Sequence, residues 1–162
     1  MAILPSQIPQ ANSRRAALGR EGMPLKMSRE DLMDFMVEAF PQVSGDFTVL
    51  DVAENEITMR LNTMEKHLRP GGTVSGPTMF ALADVSIYLA VLAMIGPKAL
   101  AVTTNCSIDF MRKPASGVDL IAKARLLKLG RVLAVGDVLI YSEGQADPVA
   151  RASMTYSIPP ER

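Results

Sequence analysis

Tryptophan is absent, histidine and cysteine occur once each, and aromatic residues make up only 5% of the 162-residue chain. Each shortage removes a class of protein. A lone Cys106 cannot close an internal disulfide, and with His67 the one imidazole, a conventional zinc site of Cys and His ligands is excluded. So few aromatics leave little to stack on nucleic-acid bases. Net charge is missing too: 17 Lys+Arg balance 17 Asp+Glu, so no overall field draws the chain to nucleic acid or to an anionic membrane. The first residues carry no apolar run long enough for the core of a signal peptide. With the single cysteine, this fits a reducing, cytoplasmic setting.

What is present is the composition of one globular domain, 48% hydrophobic and 21% charged. Residues 1–27, broken by Pro5, Pro9 and Pro24, read as a mobile tail ahead of a single domain over 28–162. Arg14, Arg15 and Arg20 without a neighbouring acid give 6–20 a loose likeness to a transit peptide, but an unstructured tail accounts for them as well. Ser28 with Glu30 and Asp31 marks a helix start. Leu32, Phe35, Met36 and Ala39 then recur at helical spacing until Pro41 ends the run. The period next changes to two. Phe47–Val52 and Glu56–Leu61 read as strands joined at Glu54-Asn55.

A loop over 62–75 leads to Pro77–Ile95, which is apolar nearly all round and closed by Gly96-Pro97. Such a helix is buried or lies in a membrane. Asp84 in its interior and the alternating segments that follow favour burial. Strand segments follow at Ala99–Phe110, Val118–Leu127, Val132–Tyr141 and Val149–Ser157. The turns Pro114–Gly117, Gly130-Arg131 and Gly144-Gln145 suit antiparallel hairpins. The order is α+β, and an antiparallel sheet wrapped around one helix satisfies it.

Asp84 is the most informative residue. An unpaired carboxylate on an apolar helix costs several kcal/mol to bury, so it is either paired with a cation, placed at a subunit seam, or kept for general-base or nucleophilic chemistry. Gly71-Gly72-Thr73-Val74-Ser75-Gly76-Pro77 leads into the same helix. Its glycines permit close approach of a ligand, and the first helical turn offers free N–H groups for an oxyanion. Because Pro77 has no N–H, the donors are Gly76, Thr78 or Met79. The sequence spacing sets Asp84 two turns further along, a base beside an electrophile-activating group. Cys106 shares strand parity with Val102, Thr104, Ile108 and Phe110, which reads as core.

Gly72–Pro77 followed by Leu82-Ala83-Asp84 resembles the G-T-V-H-G-G and L-A-D signature of the PaaI-like hotdog thioesterases, and Ser107–Arg112 resembles that family's strand after the helix. The likeness spans roughly 45–157 in element order and is most specific over 67–112. It implies a hotdog fold, a homodimer or homotetramer with active sites at the dimer interface, and hydrolysis of acyl-CoA without a cofactor, coenzyme A entering as part of the substrate. It also implies Asp84 as the catalytic carboxylate, Gly76 as the N–H that polarises the thioester, and Thr103 as a hydroxyl that positions water. Ser75 stands where the family has His, and Arg69 where an Asn is common. Substrate contacts are expected from His67, Arg69, Gly72, Ser75, Arg112 and Lys113, though a solvated strand end explains the last pair equally well. The strand Ala99–Phe110 is the expected subunit seam. A hotdog module that binds acyl-CoA with little turnover, or a dehydratase or hydratase using His67, are the competing readings.

Overall fold

The computed structural model describes residues 23–161, so residues 1–22 of the tail expected over 1–27 lie outside the described residues. Its last expected residues are not free: the Lys26 and Met27 N–H groups both donate to Ala93 O, at 2.8 and 3.3 Å, and Met27 is buried.

Helix α1 spans Arg29–Ala39. Ser28 caps it through a reciprocal pair of bonds with Asp31, and Leu32 and Met36 form its buried stripe. Strands β1 (Phe47–Ala53) and β2 (Glu56–Leu61) form the expected hairpin, with Asn55 at φ 57° in the turn. A 3-10 turn at Glu65–His67 precedes helix α2, Gly76–Ile95. Strands β3 (Val102–Phe110), β4 (Leu120–Leu129), β5 (Leu133–Ser142) and β6 (Pro148–Ser157) complete one antiparallel sheet in the order β1-β2-β4-β5-β6-β3.

Two turn expectations hold and one does not. Gly130-Arg131 and Gly144-Gln145 join the hydrogen-bonded pairs β4/β5 and β5/β6. Pro114–Gly117 reverses the chain but forms no hairpin, because β3 pairs with β6 while β4 pairs with β2 and β5. A turn signal reports that the chain bends; it carries no information on which strand the next one joins. The consequence is that β3 stands at an edge of the sheet.

The sheet curls around α2, whose Leu82, Ile87, Leu89 and Leu92 are fully buried. Close approach is possible because the inward positions of the central strands are small: Ala122 and Ala124 on β4, Ala134 and Gly136 on β5, Ala150 and Ala152 on β6. Gly136 is the tightest of these. A Cβ there would lie 2.5 Å from Ile87 Cδ1 and 2.9 Å from Arg125 O, and a backbone atom cannot give way. Gly136→Ala should therefore cost about 1–3 kcal/mol, the range for an overpacked core. Thermal unfolding checks this; an unchanged melting temperature would show that α2 moves off the sheet freely.

Along β3 the parity is interrupted. A bulge between Thr103 and Asn105 inserts Thr104, so Thr103 and Cys106 turn toward α2 while Thr104 is exposed. Cys106 and Ile108 pack against the core as expected and Phe110 shares their side, its ring lying over the start of α2, but Val102 and Thr104 do not.

Candidate active site

The site is built on α2. Ser75 is its N-cap: Oγ accepts from the Thr78 N–H at 3.4 Å and lies 2.9 Å from Thr78 Oγ1. Behind it, Gly71 and Gly72 both adopt positive φ, 104° and 81°, to make the turn closed by Gly72 N–H to Arg69 O. Gly76 begins the helix, and its N–H has no partner among the described residues. The Phe110 ring packs across it; a Cβ at Gly76 would sit 3.2 Å from Phe110 Cζ. Here Arg69, Gly76, Phe110, Arg112 and Lys113 line a cavity of about 460 Å³. The expected donor and the three expected cations are thus brought together.

Asp84 lies elsewhere. Eight residues along a helix is about 12 Å, and its carboxylate opens into a second cavity of about 410 Å³ walled by Phe40, Val85, Tyr88, Ala101, Val102 and Tyr156. The adjacency of Gly76 and Asp84 expected from their spacing is therefore not met within one chain. No cation reaches Asp84 among the described residues. Instead its Oδ1 accepts from Thr103 Oγ1 and from the Tyr156 hydroxyl, the latter at 2.6 Å. Oδ2 carries no hydrogen bond among those residues and is not buried, in a residue that lines the cavity. A half-buried carboxylate held by one oxygen and free at the other is arranged to accept a proton or attack an electrophile.

Tyr156 had no signal in the sequence beyond a Tyr at an inward strand position, which reads as core. Burial, and then the charge of Asp84, push its phenol far above the ordinary tyrosine range, so it remains a donor. Burial, and then Asp84, also push the Cys106 thiol up, which disfavours the thiolate a cysteine hydrolase needs.

His67 does not meet the substrate-contact expectation. It is only 5% exposed, its Nδ1 accepts from the Met64 N–H at 2.9 Å, and Nε2 faces Asp46 Oδ2 at 3.3 Å. Its carbonyl accepts from the Ser75 N–H and the Thr78 hydroxyl, so it supports the start of α2 from behind. Ser75 likewise spends its hydroxyl on the helix cap. Gly72 serves the turn, its carbonyl accepting from Ser116 Oγ at 3.4 Å.

A sheet wrapped on a buried helix is the hotdog arrangement, and the open carboxylate oxygen mid-helix and the unpartnered N–H at the helix start are its candidate site. A thioesterase superfamily model matches residues 71–149, and the chain belongs to that superfamily. A solved Silicibacter protein provisionally assigned as a thioesterase is 64% identical, covers 86% of this chain and 97% of its own, and superposes with a TM-score of 0.81. The phenylacetic acid degradation protein PaaI of Thermus thermophilus, in a variant form, is 30% identical over 74% of this chain and 99% of its own, with a TM-score of 0.63. Human acyl-coenzyme A thioesterase 13 is 24% identical over 133 residues, 81% of this chain and 94% of its own. The chain is accordingly an enzyme that hydrolyses thioesters.

Proposed function

We propose that the thioester is that of an acyl-CoA and that each active site is completed by two protomers, Asp84 from one and Gly76 from the other. One observation carries the reading. Asp84 bonds Thr103 at the start of β3 and Gly76 lies under Phe110 at its end, and β3 is an open edge strand. Antiparallel pairing of β3 with its own copy about Cys106-Ser107 would set Thr103 of one chain opposite Phe110 of the partner subunit. Asp84 would then face Gly76 of the partner subunit, which the 12 Å separation forbids within a chain. Such a strand edge is a template for pairing. The apolar side chains around it support the same face: Leu100, Val102, Phe110 and Met111 are exposed there, as is Phe80 on α2.

In that arrangement the Gly76 N–H polarises the thioester carbonyl and holds the oxyanion. Asp84 Oδ2 takes a proton from water as the water attacks, or itself attacks; either route uses the free oxygen. The C–S bond breaks: on the water route the departing thiolate takes up the proton that Asp84 received, and on the direct route it leaves an acyl–Asp84 anhydride that water hydrolyses to the free acid, the water's proton going to the thiolate. Arg69, Arg112 and Lys113 suit the phosphates of CoA. The hydratase alternative loses support because the His67 imidazole faces Asp46 instead of Asp84.

The test is turnover of an acyl-CoA panel followed by thiol release, with sedimentation at micromolar concentration. Hydrolysis that depends on acyl identity, by a dimer or larger assembly, is expected; a purely monomeric active enzyme would refute the shared site. Within the same assay Arg69→Ala should raise KM with kcat little changed, the pattern of lost uniform binding. A kcat loss at constant KM would place Arg69 in the chemistry instead.

A further inference from the structure

Tyr156 stands on β6, beyond the residues 71–149 matched by the superfamily model. Strand pairing sets it directly opposite Thr103, and the bulge that follows Thr103 keeps both side chains on the α2 side of the sheet. The two hydroxyls thus converge on one oxygen of Asp84. The Tyr156 hydroxyl also lies 2.9 Å from Asp84's own carbonyl oxygen, so it spans the backbone and side chain of the same residue. Its ring is 2% exposed and stacked on Tyr88, with centroids 6.2 Å apart at 28°, and the Tyr88 hydroxyl is anchored to Ala99 O at 3.0 Å. A carboxylate turns easily about its last bond unless something holds it. Here a rigid donor holds it.

We infer that Tyr156 is a positioning residue: with Thr103 it clamps Oδ1 of Asp84 so that Oδ2 alone is presented to the reacting thioester. Among the described residues, the titratable groups that face Asp84 are Tyr156 on β6, Tyr88 one turn further along α2 and Cys106 on β3; none is a cation. The hydroxyls therefore do what an ion pair does at other carboxylates, while leaving one oxygen free. This inference rests on Asp84 being the reacting group.

Tyr156→Phe keeps the ring and its stacking and removes only the hydroxyl. kcat/KM should fall about tenfold to a hundredfold, the range for one hydrogen bond to a charged group. The loss should fall on kcat with KM little changed, because the carboxylate turns away from the reacting carbonyl while the substrate contacts stay in place. A merely structural tyrosine would lower the melting temperature and leave kcat unmoved below it. Thr103→Val should lower kcat in the same way, with the melting temperature of each variant measured alongside. If Thr103→Val lowers kcat and Tyr156→Phe does not, or if Tyr156→Phe raises KM with kcat unmoved, the inference falls. Wild-type hydrolysis by Asp84→Asn would instead overturn the role of Asp84, a separate failure read in the same series.

Discussion

Asp84→Asn should leave the protein folded and remove most of its hydrolysis. Asparagine has the volume of aspartate, and its Oδ1 still accepts from Thr103 and Tyr156, so the contacts that hold the side chain survive. No cationic partner is left behind, which is the usual cause of a large loss when a carboxylate is neutralised. The melting temperature should stay within a few degrees of wild type. What disappears is the basic oxygen facing the cavity, and losing a positioned general base costs about a hundredfold to ten-thousandfold in rate. kcat and the melting temperature, measured together, decide the matter. Full activity with a lowered melting temperature would mean that Asp84 is structural.

Asp84 could be found in the sequence because it breaks a rule. One carboxylate in an apolar stretch with clear helix punctuation at both ends is an anomaly, and local patterns record anomalies well. The same patterns gave α1, the β1/β2 hairpin and the ends of α2 to within a residue. Long-range pairing left no such trace. Tyr156 is 72 residues from Asp84, and its meeting with Thr103 depends on β3 joining β6 across two intervening strands. The turn at Pro114–Gly117 pointed to the wrong neighbour for the same reason. Strict alternation also misplaced Val102 and Thr104, since a single inserted residue at a bulge reverses the faces on its two sides.

The substitutions that set this chain apart from the family signature become intelligible at the start of α2. Where the signature has histidine, Ser75 supplies a cap, a task for which serine is well suited and which leaves the Gly76 N–H uncommitted. His67, in turn, is spent on the Asp46 carboxylate and the Met64 N–H, and its backbone carries the cap. The residues that hold Gly76 in place are thus distinct from the three cations proposed to face the substrate. Arg69, Arg112 and Lys113 line the same cavity, Arg112 braced by one bond from its guanidinium to Pro148 O at 2.9 Å.

Two inactive variants should restore activity when combined, and this tests the shared site most directly. Gly76→Pro deletes the oxyanion donor; because residue 76 itself precedes Pro77, some strain at the helix start is expected, so the melting temperature is measured with activity. Gly76 is the first helical residue, where proline is well tolerated, and Ser75 already holds the extended conformation that a following proline demands, at ψ 156°. The Phe110 ring over Gly76 is about half exposed and can swing away. Alone, Gly76→Pro should lose about a hundredfold to a thousandfold in kcat, the effect of removing one oxyanion donor. Asp84→Asn alone is equally impaired. Co-expressed, the two chains form hybrid dimers in which one site carries both changes and the other carries neither. Half of randomly assorted dimers are hybrids with one intact site of two, so activity should return to about a quarter of wild type. If Asp84 and Gly76 act within one chain, no hybrid contains an intact site, and the mixture should stay as inactive as its parents. Subunits tagged differently and purified as hybrids make the comparison quantitative: about half the wild-type rate per dimer is expected if the sites are shared, and none if they are not.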